Sequence, residues 1–305
     1  MRKNHSRWYV MLILTMLVWS SHYIVSKFLL VDYSPTTLVL YRTVFASLFL
    51  LPLYLLKKKP AQKVTLNGVD FFWLIFASLT GVLASAFFLM WSIKEVGAGL
   101  SSILMNTNSF LVAIGAIALG MERFSFTKLC GLIIGILGVV LVSLKGSDIS
   151  GLFAHAEVQG MLYALVAAVG SALLVLIGKK RLIPKMGGLA YTLFTLVPSG
   201  LLLLFFSAFQ EPATFMIHSW GAFIGLAYMG IVSTALVWVL FAESLRHLDA
   251  GVATSFKLLI PAFSVLLAYL FFGEILDWHA YLGMGVITLG LYMVSRELPT
   301  QSLHK

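Results

Sequence analysis

Residues Ala250 to Glu274 read AGVATSFKLLIPAFSVLLAYLFFGE, an apolar stretch long enough to cross a bilayer with one lysine, Lys257, and one proline, Pro261, inside it. A charge at membrane depth costs roughly 2.5 to 3.5 kcal/mol on insertion scales, so a helix keeps one when it has a partner, a water-filled cavity or a ligand for it. A second stretch has the same frame. Ala98 to Glu122, AGLSSILMNTNSFLVAIGAIALGME, lies 152 residues earlier, opens with the same Ala-Gly and closes on a glutamate at the same distance. Met105 stands there in place of the lysine and Ser109 in place of the proline.

Outward from these two stretches the chain demands the same solvent. Only 21 basic and 12 acidic side chains serve 305 residues, and 60% of the chain is apolar, so most of its surface must face lipid. The run from Trp8 to Ser26 follows Arg2, Lys3 and Arg7 in the manner of a secretory signal. It is too long for a signal h-region and lacks a small-x-small cleavage site, so it reads as a transmembrane helix. Cys130 is the single cysteine; no intrachain disulfide is expected, and its apolar helix suits a packing role.

With about 20 apolar residues per crossing, the hydropathy predicts an all-α integral membrane fold. Ten transmembrane helices are expected, at 8–27, 35–56, 70–93, 98–119, 126–145, 157–178, 188–209, 219–243, 250–272 and 278–296. Turn chemistry falls between them at Asp32 to Pro35, Gly97 to Gly99, Gly146 to Gly151, Gly187-Gly188 and Glu211-Pro212. With the N-terminus inside, the cytoplasmic segments hold Arg2, Lys3, Arg7, Lys57, Lys58, Lys59, Lys63, Arg123, Lys128, Lys179, Lys180, Arg181, Lys185, Arg246, Arg296 and Lys305. The outer side holds only Lys27, Lys94 and Lys145, and Arg42 and Lys257 fall within the membrane. The net charge of +9 is therefore a topology signal that puts both termini in the cytoplasm. Nucleic acid is excluded as a partner, since no soluble face gathers the charge.

Shifting the chain by 152 residues superposes Lys27 on Lys179, Thr43 on Thr195, Ser92 on Ser244, Gly131 on Gly283 and Gly138 on Gly290, along with the two framed stretches. Residues 1–147 and 156–305 thus form two five-helix repeats. Five is odd, so the second repeat must enter from the opposite side, the inverted arrangement of many secondary transporters. Ser125 superposes on Asp277, both good N-caps where the fifth and tenth helices begin. Glu122 and Glu274 are read as parts of these corners, satisfying amides of the helix that follows. Gly131, Gly135 and Gly138, with Gly283, Gly285 and Gly290, make the fifth and tenth helices a close-packed pair away from the pathway.

Trp19-Ser20-Ser21 followed by Lys27, Tyr41-Arg42, the Ala-Gly to glutamate frame and the glycines of each half's last helix resemble the EamA family of the drug/metabolite transporter superfamily. The resemblance spans about Trp8 to Ser295. It implies two inverted five-helix repeats around a cavity lined mainly by helices 1, 3, 4, 6, 8 and 9, and export or import of amino acids, other small metabolites or drugs. Many members have a proline in both the fourth and the ninth helix; here only Pro261 is present.

Helical spacing puts Thr254, Lys257, Pro261 and Ser264 on one face. Lys257 is expected to attract a carboxylate or phosphate, with Pro261 supplying a bend; the bland alternative is snorkelling or an ion pair with Glu243. In helix four, Asn106 and Asn108 serve either substrate or a neighbouring helix. Arg42 is a gating or structural cation, and His22, on a face with Thr15, Trp19 and Ser26, is a proton relay or a satisfied structural histidine. Trp91 and Trp238 are interface anchors or aromatic walls, Trp238 the better wall.

These residues describe a secondary transporter of a small organic solute, an amino acid or related carboxylate-bearing metabolite, in the cytoplasmic membrane. The alternatives are an exporter of hydrophobic or cationic drugs with the same fold and, more remotely, a membrane enzyme. No HExxH, CxxC, GxSxG or P-loop pattern occurs, so neither a metal nor another cofactor is expected. Glu243, His22 and Lys257 are the candidates for proton coupling. The partners are the solute and the lipid bilayer, with a monomer and a homodimer both open.

Overall fold

The computed structural model describes residues 6–56, 66–121, 125–143, 155–207, 216–248 and 250–295. Glu122, Arg123, Lys145, Arg2, Lys3, Arg296, Lys305, the lysines at 57–59 and 63, and the turns at 146–151 and 211–212 lie outside them. Every regular element described is helical: α1 Ser6–Leu29, α2 Pro35–Leu56, α3 Gly68–Ala77, α4 Ser85–Met105, α5 Asn108–Ala118, α6 Phe126–Ser143 and α7 His155–Ile177. There follow α8 Ile183–Ser207, α9 Trp220–Ala227, α10 Val237–His247, α11 Ala250–Ser255, α12 Leu259–Phe272 and α13 Trp278–Ser295. Wider π-type turns at Ser78–Ala84, Gly178–Leu182 and Tyr228–Leu236 join α3 to α4, α7 to α8 and α9 to α10, and a tight 3₁₀ turn at Phe256–Leu258 joins α11 to α12.

Among the described residues, five helical runs are long and apolar enough to cross a membrane: Arg7–Leu29, Pro35–Leu56, Gly68–Ala118, Val158–Phe206 and Trp220–His247. Two of these, of 51 and 49 residues, far exceed one crossing. A glycine breaks each, Gly97 at φ 83° and Gly187 at φ 79°, a left-handed conformation that a Cβ would oppose, and the first run breaks again between Met105 and Asn108. Burial is inverted relative to a water-soluble protein. Leu14, Leu55, Phe72 and Leu270 are exposed, while Ser20, His22, Arg42, Asp70 and Lys257 are buried, as lipid outside and polar contacts inside require.

The 152-residue register persists in the folded chain. Shifted by it, α6 superposes end for end on α13, and the π-type turn at Ser78–Ala84 falls within that at Tyr228–Leu236. Asn67 accepts from the Asp70 amide at 2.8 Å and starts α3; Ser219, its shifted counterpart, accepts from the Ala222 amide at 3.1 Å and starts α9. The helices α6 and α13 pack backbone to backbone: a Cβ on Gly290 would lie 2.6 Å from the Gly131 carbonyl oxygen, and one on Gly138 2.7 Å from the Ile287 nitrogen. Gly135 instead makes room for the Phe110 ring, and Gly285 faces open space.

The framed helices do not run straight. The α4–α5 junction tightens into successive i→i−3 bonds, Ser109 N–H to Asn106 O and Phe110 N–H to Thr107 O, without a proline. The partner break at Phe256–Leu258 contains Lys257, whose carbonyl Pro261 leaves without its i→i−4 N–H, so one break has a proline behind it and the other forms without one. The two halves touch close to these breaks, where the Ser109 hydroxyl donates to the Thr254 carbonyl at 3.2 Å.

Candidate functional site

The breaks in the two framed helices open on one cavity of about 90 Å³, deep among α1, α2, α4, α5, α7, α8, α10 and α12. Its polar lining includes His22, Tyr23, Arg42, Ser85, Ser102, Asn106, Asn108, Ser171, Tyr191, Thr192, Thr195, Ser233, Thr234 and Lys257. Trp19 and Trp238 form an aromatic wall, their ring centroids 5.2 Å apart edge to face. The segments of the expected second and seventh helices, α2 and the later part of α8, therefore line the cavity too, alongside the six that the family resemblance implied. The helices α6 and α13 contribute nothing to it among the described residues.

Lys257 is 4% exposed. Its ammonium lies 4.9 Å from the Phe241 ring centroid and 5.3 Å from that of Trp19, a desolvated cation held against π faces. No carboxylate reaches it among the described residues. Glu243 is committed elsewhere: it accepts from the Gly188 amide at 3.2 Å and pairs with Arg246 at 2.8 Å, which removes it as the partner of Lys257 and as a cavity group. Arg42, 8% exposed, also lines the cavity and has no acid partner among the described residues.

The two asparagines divide the roles left open by the sequence. Asn108 donates to the Ser171 hydroxyl at 2.8 Å and accepts from Ser109 at 3.3 Å, bridging α5 to α7. Asn106, at the break itself, is buried with neither end of its amide bonded. His22 is within 2.9 Å of the Ser233 hydroxyl through Nδ1 and lies near Ser26 through Nε2, so it meets the cavity wall as a hydrogen-bonded residue.

Other expected residues stand apart. Thr254 turns its hydroxyl back to the Ala250 carbonyl at 2.7 Å, and Pro261 and Ser264 are buried outside the lining. Of the predicted face only Lys257 lines the cavity; Thr254 precedes the 3₁₀ turn that holds the lysine, and Pro261 and Ser264 follow it in α12. Trp91 sits beside Tyr163 with Lys94 over its ring at 5.0 Å, outside the cavity. Ser171, Thr192, Thr195 and Ser233 were not anticipated; small polar residues are common in apolar helices, and only the three-dimensional meeting of α7, α8 and the 228–236 turn singles them out.

A second polar node involves the other end of the framed helix. Glu274 pairs with Lys27 and accepts from the amides of Ala98 at 3.3 Å and Gly99 at 3.1 Å. The sequence pointed to amides of the following helix; the carboxylate instead caps the helix start beyond Gly97, in the other half, where unpaired N–H groups favour an anion.

The EamA-like transporter family model matches this chain twice, over residues 6–144 and 158–296. An uncharacterized transporter of Archaeoglobus fulgidus is 28% identical over 300 residues, covering 96% of this chain and 99% of its own. The uncharacterized transporter YdfC of Bacillus subtilis is 28% identical over 277 residues, 90% of this chain and 85% of its own. The uncharacterized inner membrane transporter YedA of Escherichia coli is 21% identical over 281 residues, with 92% and 87% covered. A solved crystal structure aligns with a TM-score of 0.69 at 15% identity over 95% of this chain and 96% of that one, a likeness of fold.

Proposed function

Because this chain belongs to the EamA-like transporter family, we propose that it is a secondary transporter of a small carboxylate-bearing organic solute, the class to which amino acids belong. It works in the cytoplasmic membrane by alternating access between two inverted five-helix repeats, with ten crossings and both termini inside. The observation that carries the solute's charge is the cavity itself: Arg42 and Lys257 enter it without a carboxylate among the described lining residues. A carboxylate oriented between cation and aromatic wall would satisfy what the protein leaves unsatisfied. The same lining disfavours a cationic drug, which would meet like charge in a desolvated site. Relatives named as transporters support transport over enzymatic turnover.

Arg42 and Lys257 hold the anionic group, Asn106 offers a donor and an acceptor to the rest of the solute, and Trp19 and Trp238 exclude water from one side. His22 and Lys257 are the titratable groups placed to couple protons. The test is counterflow in proteoliposomes. Lys257→Met and Arg42→Met should each lower saturable exchange of a carboxylate solute at least tenfold while the protein stays monodisperse and inserted. Wild-type exchange by a well-inserted Lys257→Met protein would remove the site assignment.

A further inference from the structure

We infer that the cavity selects a small dianion lacking an ammonium group, a dicarboxylate or phosphomonoester, over the zwitterionic amino acids. The inference rests on the carboxylate-transport reading above and sharpens it by counting charge. Two buried cations, Arg42 and Lys257, line one cavity, and neither has a hydrogen-bonded or ion-paired acid among the described residues. No aspartate or glutamate lines the cavity among the described residues; Asp70 is bonded to Arg181 and Lys185, and Glu243 to Arg246 and the Gly188 amide.

A zwitterion is neutral and would leave both cations uncompensated, with its own ammonium as a third positive group in a water-poor site. A dianion matches the two groups when both are protonated, and its presence favours that protonated state. The unsatisfied amide of Asn106 fits such a solute as well. Asn106 presents a free carbonyl oxygen and a free amide N–H₂ at the helix break, complementary to a hydroxyl or to a carboxylate oxygen and its neighbour, with no need of an ammonium. The hydroxyls of Ser233 and Thr234 donate to the Met229 carbonyl, at 3.0 and 2.7 Å, and what they leave for a solute is neutral lone pairs, which carry no charge to offset an ammonium.

The experiment is counterflow by the full-length protein in liposomes, with succinate, L-malate, glycerol 3-phosphate, L-lactate, L-alanine, L-glutamate and tetraphenylphosphonium as probes. At least one dianion should exchange saturably with an efficiency at least tenfold above L-alanine and L-glutamate. The malate and glycerol 3-phosphate arms separate a dicarboxylate site from a phosphomonoester site. Equal or better exchange of the amino acids overturns the dianion inference while leaving carboxylate transport standing; exchange of tetraphenylphosphonium alone overturns both, and failure of every dianion overturns the inference. Arg42→Gln and Lys257→Gln give a readout that mere misfolding would not produce: removing one cation should shift preference toward the monoanion, lowering the malate-to-lactate efficiency ratio at least tenfold, with Lys257→Arg restoring it. An unchanged ratio with a uniform fall in flux refutes the two-cation site.

Discussion

Substituting Gly290 by alanine tests the contact between α6 and α13 directly. The added Cβ would sit 2.6 Å from the Gly131 carbonyl oxygen, 2.7 Å from the Gly135 nitrogen and 2.9 Å from the Gly135 Cα. All three are backbone atoms, so no side chain can swing aside. The helices must separate by about 0.8 Å to reach ordinary contact, and a radial gap of roughly 0.5 to 1 Å forfeits a quarter to a half of each pair's dispersion well along the interface. Overpacking of this kind costs about 1 to 3 kcal/mol. Gly285, on the same helix, supplies the control: a Cβ there meets nothing within 4 Å. Gly285→Ala should be neutral or stabilising by up to about 1 kcal/mol, since alanine is the better helix former. Melting followed by fluorescence-detected size exclusion in detergent should show Gly290→Ala several degrees below wild type and Gly285→Ala at or above it. Equal melting of the two variants would refute the backbone-to-backbone packing.

Replacing Glu274 by glutamine leaves Lys27 without its partner and weakens the cap on Ala98 and Gly99; a loss of about 1 to 3 kcal/mol is expected in the same melt. Asn67→Ala and Ser219→Ala remove equivalent N-caps and should cost about 1 kcal/mol each, so a large difference between them would contradict their shared role. Asn106→Ala should leave the protein as stable as wild type or more so, because it deletes an unsatisfied amide, yet depress exchange; Asn108→Ala should destabilise by about 1 kcal/mol through the lost bond to Ser171. In a Cys130→Ser background, an impermeant maleimide should label Lys94→Cys on intact cells and Lys180→Cys only after permeabilisation, and the reverse pattern would invert the proposed orientation.

Helix identity was legible because apolar length and punctuating glycines are local properties; Gly97 and Gly187 stand where the turn residues placed them. The close packing of α6 on α13 was legible too, since glycines such as Gly138 and Gly290 let those backbones approach. The cavity was legible only in part. Lys257 announced itself by its depth, but the face assigned to it was drawn from spacing along one helix, and which of its members meets a cavity is set by the helices packed around it. No residue pattern distinguishes an i→i−5 bond from an i→i−4 bond, so the π-type turns that carry Ser233 and Thr234 to the wall left no trace in the sequence. Asn106 and Asn108, two residues apart, could be assigned only once the break between them was known.

The cap that Glu274 places on Ala98 and Gly99 crosses between halves whose frames are copies of one another. Such a contact does not need a continuous chain: two separate single-repeat subunits, each lending its terminal glutamate to the other, would make it twice in a self-complementary pair. Stability at that corner is therefore a property of the pairing, and a severed first half would lose the acceptor that the Ala98 and Gly99 amides have in Glu274. Co-expressing the halves as separate polypeptides is then a reassembly of a dimer, to which the Glu274 cap and the α6–α13 contact both contribute.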